Sequence, residues 1–463
     1  MNCLTKLLRG LLQPVLRFFR LVAITVAMIG LSFGSTPLYA DSAFWDGLTS
    51  GDWSDLANWD DTDGSGGGAA PGAVPTTGER ATFDALNTLG TTLIDMGAGG
   101  ATVLIDEIFV TGGSDLTFGE NTGGDDTIHF DVNGELDMAS STNVIIDANV
   151  LLGDGSGNTV FWDRNGTGTL TFNGIVDHGT GTGTAGTQTL RIDPGSGGVT
   201  WNGSATNTGD ASLFILEVRA GSGGLNVSST GSIAGFDRFR IRNNGVATIA
   251  DGGGVNEART EIASGTLTIT TSTNVEIDNL DIGNTTNNGT GDSFLIINGG
   301  TLTQGATWEY FDDTVAHQSF INGTGSIIMS ANRNWNIDDN INVAGAEMTV
   351  SVNVAGNIAT GRNLVKQDFG TLAFTGTMSQ INSYVVQAGR LEIANFGADD
   401  DFTLGNNNNT GTLVYTGTGE AADYDTQFRI GDNAALAEVG GGVLLNNGTG
   451  AITFNNPVAN DDM

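Results

Sequence analysis

Adjacent carboxylates are the residues of this sequence that most directly suggest chemistry. They occur as Asp125-Asp126, Asp312-Asp313, Asp338-Asp339 and Asp399-Asp400-Asp401. Two carboxylates that face one groove can cleave a glycosidic bond, and clustered carboxylates can hold a calcium ion. Adjacent residues of a strand point to opposite faces, so neighbours in sequence are not neighbours in space. We therefore interpret these acidic residues as turn residues or solvated charges.

Histidines and acidic glycine-rich segments are the other candidates for chemistry. His129, His178 and His317 lie far apart, without the local spacing of a zinc site or the supporting motifs of a catalytic triad. We expect all three on the surface. Residues 60–68 and 153–158 are similar in composition to calcium loops, but neither has the spacing of a known loop. We predict no catalytic, cofactor or metal site, and we leave weak calcium binding open.

The first forty residues differ from the rest of the chain. They contain four basic residues, no acidic residue and an apolar stretch at 21–33, and they end with Ala40 before Asp41. This pattern is typical of a secretory signal peptide cleaved near Ala40 and Asp41. The apolar stretch is shorter than the roughly 20 residues that span a bilayer. We expect a secreted or cell-surface protein whose mature chain has no transmembrane domain.

The chain that remains after cleavage is strongly acidic. Residues 41–463 contain 13 basic and 52 acidic residues, a formal charge of −39, and no cysteine, because Cys3 lies in the signal. A field of this sign repels nucleic acid and anionic membrane surfaces. Nucleic-acid binding is therefore excluded. Without disulfides, stability must come from a continuous backbone ladder and an apolar core.

Short segments that alternate apolar and polar residues predict strands throughout this acidic region. TLTF at 169–172 and SIIM at 326–329 are examples, and turn-forming residues separate such segments. A small residue, a polar residue and a leucine recur together, and neighbouring leucines of this triplet are 19 to 22 residues apart in three cases. That spacing suits a coil of about 20 to 22 residues in a β-solenoid. A β-sandwich is the structural alternative. The triplet leucines are Leu116, Leu136, Leu170, Leu267, Leu302, Leu372, Leu391 and Leu413.

Three tryptophans precede the first of these strands. Trp45, Trp53 and Trp59 lie within 15 residues of one another. Exposed indoles stack on sugar rings, whereas buried indoles would cover the first coil of a solenoid. We favour the capping role, because the edge of a solenoid must be covered.

Residues 364–393, LVKQDFGTLAFTGTMSQINSYVVQAGRLEI, resemble the autotransporter-associated β-strand repeat. Shorter matches occur at 166–174 and 263–269. The resemblance implies an exported right-handed parallel β-helix and no particular reaction. Since no barrel segment follows, we expect either a truncated chain or a separate export machine. The matching residues are Leu364, Lys366, Gly370, Thr371, Leu372, Phe374, Gly376, Val386, Gly389, Leu391 and Ile393.

The sequence thus predicts an all-β protein, a right-handed parallel β-helix with an N-terminal Trp-rich cap. We expect a signal peptide at 1–40, a cap and linker at 41–83 and a solenoid at 84–463. Display, adhesion or structural contact with an extracellular surface, a glycan or a matrix is the predicted function, without catalysis. A polysaccharide lyase or glycosidase on the same scaffold is the alternative, and a passive spacer is a third. The predicted structural residues of the repeat are Gly370, Leu372, Gly376, Gly389 and Leu391.

Overall fold

The structure is a computed structural model, and the chain divides into two compact units, Met1–Asp41 and Ser42–Met463. The predicted signal peptide, with Ala40 and Asp41, lies outside the described residues. The structure describes residues 42–454 with gaps at 47–50, 61–73, 77, 85–91, 97–99, 120–125, 153–158, 164, 179–186, 208–212, 251–258, 273, 284–290, 312–315, 357–361, 396–400, 407–408, 419–420, 425–427, 432–439 and 451.

The described part of Ser42–Met463 is a parallel β-solenoid, as predicted. Its strands form three faces, here called A, B and C, which follow one another in that order along the chain. Pairing between the described strands is parallel in all three faces. The described exception among the strand pairs is Ser42–Trp45, which pairs antiparallel with Trp59–Asp60.

Four long strands cross a corner of the coil and contribute to two faces. Thr102–Val110 and Thr127–Met138 belong to faces C and A, and Arg238–Ile249 and Arg259–Thr270 belong to faces A and B. The other strands of face A are Ser42–Trp45, Arg80–Phe83, Thr159–Asp163, Gln188–Asp193, Phe214–Val218, Asn279–Gly283, Trp308–Phe311, Arg333–Ile337, Arg362–Gln367, Ile381–Val386, Asp401–Leu404 and Phe428–Ile430.

Faces B and C follow face A in each coil, and a single 3-10 helix, Leu56–Asn58, is described. The other strands of face B are Thr92–Ile94, Leu116–Phe118, Val144–Ile146, Leu170–Phe172, Val199–Trp201, Leu225–Val227, Ser293–Asn298, Ser319–Gly323, Met348–Val350, Thr371–Phe374, Gly389–Ile393, Thr410–Tyr415 and Gly441–Asn446. Those of face C are Asn149–Leu152, Ile175–His178, Ser204–Thr206, Asn274–Ile277, Thr301–Gln304, Ser326–Met329, Asn353–Gly356, Met378–Ser379, Ala421–Tyr424 and Ile452–Phe454.

The coils are less uniform than the triplet spacing predicts. Val386 pairs with Leu404 across one of the shorter coils, whereas Asn336 pairs with Gln367 across a much longer one. The coil length expected from the triplets is close to that of the shorter coils and is wrong for the longer ones. The difference arises because connections between faces lengthen without disturbing the strand register.

The leucines of the recurring triplet are all fully buried, as the solenoid requires. They do not form one column, however. Leu136 lies on face A, Leu302 on face C, and the other six on face B. The triplet therefore marks the start of a strand, or the point where a long strand enters the next face, which explains why its spacing is irregular.

The glycines of the repeat stand where adjacent coils approach most closely. A Cβ on Gly370 would lie 2.2 Å from the backbone oxygen of Asp338, and one on Gly376 would lie 2.2 Å from that of Val352. Gly389 has a φ of +66°, which disfavours other residues. The polar residue after the glycine, Thr371 or Arg390, can then point outward, while Leu372 and Leu391 point into the core.

The three early tryptophans are buried against the first coil. Trp59 packs on Trp45 and Trp53 with ring centroids 5.0 and 4.7 Å apart, and all three rings contact Phe83. The Trp59 Nε1 donates to the backbone oxygen of Trp53 at 2.8 Å. Buried indoles do not stack on sugars, so the geometry favours the capping role over the carbohydrate face.

Candidate functional site

Described basic residues are concentrated on face A. This distribution is unexpected for a chain in which acidic residues are far more numerous. Arg390, by contrast, lies on face B. The described basic residues that lie in or directly after strands of face A are Arg80, Arg191, Arg219, Arg238, Arg240, Arg242, Arg259, Arg333, Arg362, Lys366 and Arg429.

A cluster of five arginines lies in the middle of this face. It is defined here as the arginine cluster and comprises Arg219, Arg238, Arg240, Arg242 and Arg259. The local sequence explains its position. In the strand Arg238–Ile249, Phe239 and Ile241 are fully buried, so the three alternating arginines must point outward.

Glu261 is the centre of the ion pairs in this cluster. Its carboxylate lies 2.6 Å from Arg240 Nε. Nitrogen atoms of Arg238, Arg242 and Arg259 lie 3.4 to 3.5 Å away. One carboxylate therefore contacts four guanidinium groups, which come from its own strand and from the strand of the preceding coil.

Two further carboxylates complete the described network. Glu217 contacts Arg219 at 2.5 Å and Arg242 at 3.5 Å, and Asp281 contacts Arg259. Five guanidinium groups thus face three carboxylates, an excess of positive charge. The carboxylates are the deeper groups, with 6 to 13% of their side chains exposed, against 17 to 37% for the arginines.

Like charges lie next to each other across the coils of this cluster. Arg238 and Arg259 directly precede Phe239 and Thr260, which pair on adjacent strands. Burial and the neighbouring Arg240 lower the pKa of Arg242. Like charges in register are unfavourable in a sheet, whereas Arg240 pairs in register with Glu217 on one side and Glu261 on the other.

Asp281 lies at the end of this network, in a column of carboxylates. It pairs in register with Glu261 on one side and Glu309 on the other. Burial raises the pKa of Asp281 to about 6, against the opposing effect of Arg259, and the two flanking carboxylates contribute to the rise. This carboxyl can therefore exchange a proton near neutral pH.

The raised pKa of Asp281 predicts a specific pH dependence. Because its pKa is higher in the folded state than the ordinary 3.8, Asp281 favours folding at low pH, and this contribution is lost as the pH rises through about 6. Relative to Asp281→Asn, the natural chain should lose stability between pH 4 and pH 7. Urea unfolding of both chains across this range tests the prediction, and a constant difference in free energy would contradict it.

Lys366, a residue of the predicted repeat, is buried at a corner of face A. Its ammonium group donates to the backbone oxygens of Gln367, Asp368 and Ala388 at 2.6, 2.5 and 3.3 Å. Burial lowers its pKa to about 7, although nearby carboxylates oppose this. The lysine joins two coils through backbone carbonyls. A cavity of about 240 Å³ adjoins this corner, next to the exposed ring of Phe369.

The residues proposed from sequence as chemical candidates are not brought together. The expectation of a surface position is wrong for His178 and His317, which are 4% and 2% exposed. His178 follows Val176 at alternate positions of one strand, so both point inward. The Tyr310 hydroxyl donates to the backbone oxygen of His317 at 3.0 Å. His129 is half-buried.

The acidic pairs are described only in part, and Asp338 and Asp339 both lie near Lys366, where they oppose the fall in its pKa. Asp126 is buried, contrary to the interpretation as a solvated charge, and accepts a hydrogen bond from the Ala101 backbone at 3.1 Å. Asp339 is exposed. The pair 312–313, residues 125, 399 and 400, and nearly all of both calcium-like segments lie outside the described residues. In the part of the chain that is described, no group of three or more histidine, cysteine or acidic side chains is placed to hold a metal ion.

Comparison with known proteins gives no match for this chain. No family model, no curated protein and no solved structure is similar to it. The resemblance of residues 364–393 to the autotransporter-associated repeat therefore stays a prediction. Within the described residues, no helix combines the length and the apolar character needed to cross a bilayer.

The arginine cluster was missed by sequence reasoning, although a signal was present. The alternation Arg238-Phe239-Arg240-Ile241-Arg242 places three arginines on one face of a strand. The segments around Glu217 and Glu261 add the alternating acidic residues. Total charge concealed this pattern, because 13 basic residues are few beside 52 acidic ones.

Proposed function

We propose that this chain is an exported β-solenoid that acts at a cell surface or in an extracellular matrix through display, adhesion or structural contact. The observation that carries the proposal is the continuous parallel register of face A. Successive partners from Arg191 through Glu217 and Arg240 to Glu309 keep the same outward position on each coil. A partner that lies along this face meets a side chain at the same position of each coil. Many weak contacts of this kind add to strong binding.

The composition and the N-terminal pattern support the location. The acidic chain outside residues 1–40 is suited to a solvated protein, and residues 1–40 have the pattern of a signal peptide. The resemblance of residues 364–393 to a repeat of exported bacterial proteins agrees with this location.

A second candidate function is supported by the column Glu261, Asp281 and Glu309. These residues are carboxylates in register on one outer face, and the pKa of Asp281 is raised to about 6. A protonated carboxyl beside ionised ones is the arrangement that glycoside-cleaving enzymes use as acid and base. The alternative is therefore a carbohydrate-active enzyme on this scaffold.

The location is tested by expressing the full 463-residue chain with a C-terminal tag in a bacterial host. We expect the tag in the medium, on the surface of intact cells or in the extracellular matrix, with the N-terminus cleaved near Asp41. A chain that begins at residue 41 is the matched control and should stay inside the cell. An uncleaved full chain that remains in the cytoplasm would contradict export.

Adhesion is tested with beads coated with residues 41–463, applied to extracellular matrix material. We expect these beads to adhere more strongly than beads coated with a globular protein of similar charge. Equal adhesion of the two would contradict the contact function. Release of soluble sugar from the matrix, abolished by Asp281→Asn, would instead support the enzyme alternative.

A further inference from the structure

The arginine cluster has a feature that folding alone does not require. Its five guanidinium groups exceed the three carboxylates that they contact. At the centre of the cluster opposite charges do alternate in register, as Glu217, Arg240 and Glu261, but the five guanidinium groups share only three carboxylates. The excess of positive charge lies outward and is available to an anion.

We propose that the arginine cluster binds an acidic polysaccharide that carries carboxylate or sulfate groups. The inference deepens the proposed contact function and rests on it, since it names the class of partner for face A. Guanidinium groups bind carboxylate and sulfate oxygens through two parallel hydrogen bonds, which lysine does not provide.

Accessibility of the cluster supports this assignment. The side chains of Arg219, Arg238 and Arg259 are 30 to 37% exposed, while the carboxylates that they contact are 6 to 13% exposed. The carboxylates hold the arginines from below, and the exposed parts of the guanidinium groups face outward.

The geometry of the stack fits a polymer rather than a small anion. Adjacent strands are about 4.7–4.9 Å apart, so a chain that lies along face A meets another coil at each such step. The surface continues toward the N-terminus, where Phe161 pairs in register with Arg191 and the guanidinium lies 5.3 Å from the ring centre. An outward ring beside an arginine offers an apolar face to a sugar and a cation to its acidic group.

Charge density favours an acidic polysaccharide over nucleic acid. Duplex DNA carries one negative charge per about 1.7 Å of its axis. The formal charge of −39 on residues 41–463 would repel so dense a polyanion along most of its length. An acidic polysaccharide with about one charge per sugar gains the local contacts with less repulsion, especially where salt screens distant charges.

The test measures binding of residues 41–463 to polygalacturonate, dextran sulfate, neutral dextran and duplex DNA by calorimetry in 0.15 M salt. The variant Arg219→Gln/Arg242→Gln removes two outward charges, and Arg219→Lys/Arg242→Lys keeps the charge without the forked geometry. Arg390→Gln is the matched control, because this arginine contacts Glu392 on another face at 2.6 Å. Circular dichroism confirms that each variant is folded.

We expect binding to polygalacturonate or dextran sulfate, weakened at least tenfold in the double glutamine variant and less than twofold in Arg390→Gln. The two polymers separate carboxylate from sulfate recognition. Absence of binding to both, equal binding by all variants, or stronger binding to DNA would overturn the inference. Matrix adhesion that persists in the double variant would overturn it while leaving the proposed contact function in place.

Discussion

Replacing Trp201 with alanine should lower the free energy of unfolding by about 3–5 kcal/mol, the usual cost of truncating a buried aromatic residue. Trp201 is fully buried in face B. Its ring lies 4.7 Å from Phe172, 6.1 Å from Trp162 and 5.9 Å from Phe236. Its Nε1 donates to the backbone oxygen of Gly203 at 2.9 Å. The substitution removes an aromatic contact between successive coils and also leaves a carbonyl without its donor.

The measurement is urea unfolding followed by circular dichroism, because removal of a tryptophan alters fluorescence. Phe320→Ala is the matched control, since Phe320 stacks on Phe294 on the outer side of face B at 5.3 Å. An outer aromatic pair contributes about 0.5–1.5 kcal/mol. Similar losses for the two variants would show that the aromatic column does not determine stability.

The effect of Trp201→Ala should also be local. Each coil of a solenoid contacts its neighbours, so a defect loosens adjacent coils more than distant ones. Amide hydrogen exchange should therefore accelerate around Phe172 and Val227, which pair with the strand of Trp201. Strands near Leu391 should exchange at the natural rate. Uniform acceleration along the chain would indicate a single cooperative unit instead.

The solenoid could be predicted because its signals are local in sequence. Alternation of apolar residues indicates a strand and which of its side chains face the core. The glycine two positions before Leu372 or Leu413 marks where a strand begins. The three-faced coil could not be predicted, because it depends on which strand pairs with which. Leu116 and Leu136 have the spacing expected for one coil, yet they lie on different faces.

The surface chemistry was less predictable than the core. Total composition indicated a uniformly acidic protein, whereas stacking brings arginines from residues 219 to 259 onto one surface. Such a cluster depends on register between coils, which a single strand does not define. Lys366 shows the same limitation. It was recognised as part of a motif, but its burial and its contact with the Ala388 backbone oxygen depend on the next coil.

Gly370→Ala should lower the free energy of unfolding by about 1–3 kcal/mol, the range found when extra atoms are forced into packed structure. The added Cβ would lie 2.2 Å from the backbone oxygen of Asp338 and 2.8 Å from that of Ile337. The Ile337 oxygen cannot move easily, because it accepts a hydrogen bond from the Gly370 backbone N–H at 2.8 Å. The coils must therefore separate locally or lose this hydrogen bond.

Phe369→Ala is the control for this substitution, because it changes the adjacent residue of the same turn. The Phe369 side chain is 63% exposed, so its removal should alter the urea midpoint little. An unchanged midpoint for Gly370→Ala would mean that adjacent coils tolerate a Cβ at this approach. The small residue of the recurring triplet would then need an explanation other than coil spacing. A selective loss for Gly370→Ala would instead tie the sequence repeat directly to the distance between stacked backbones.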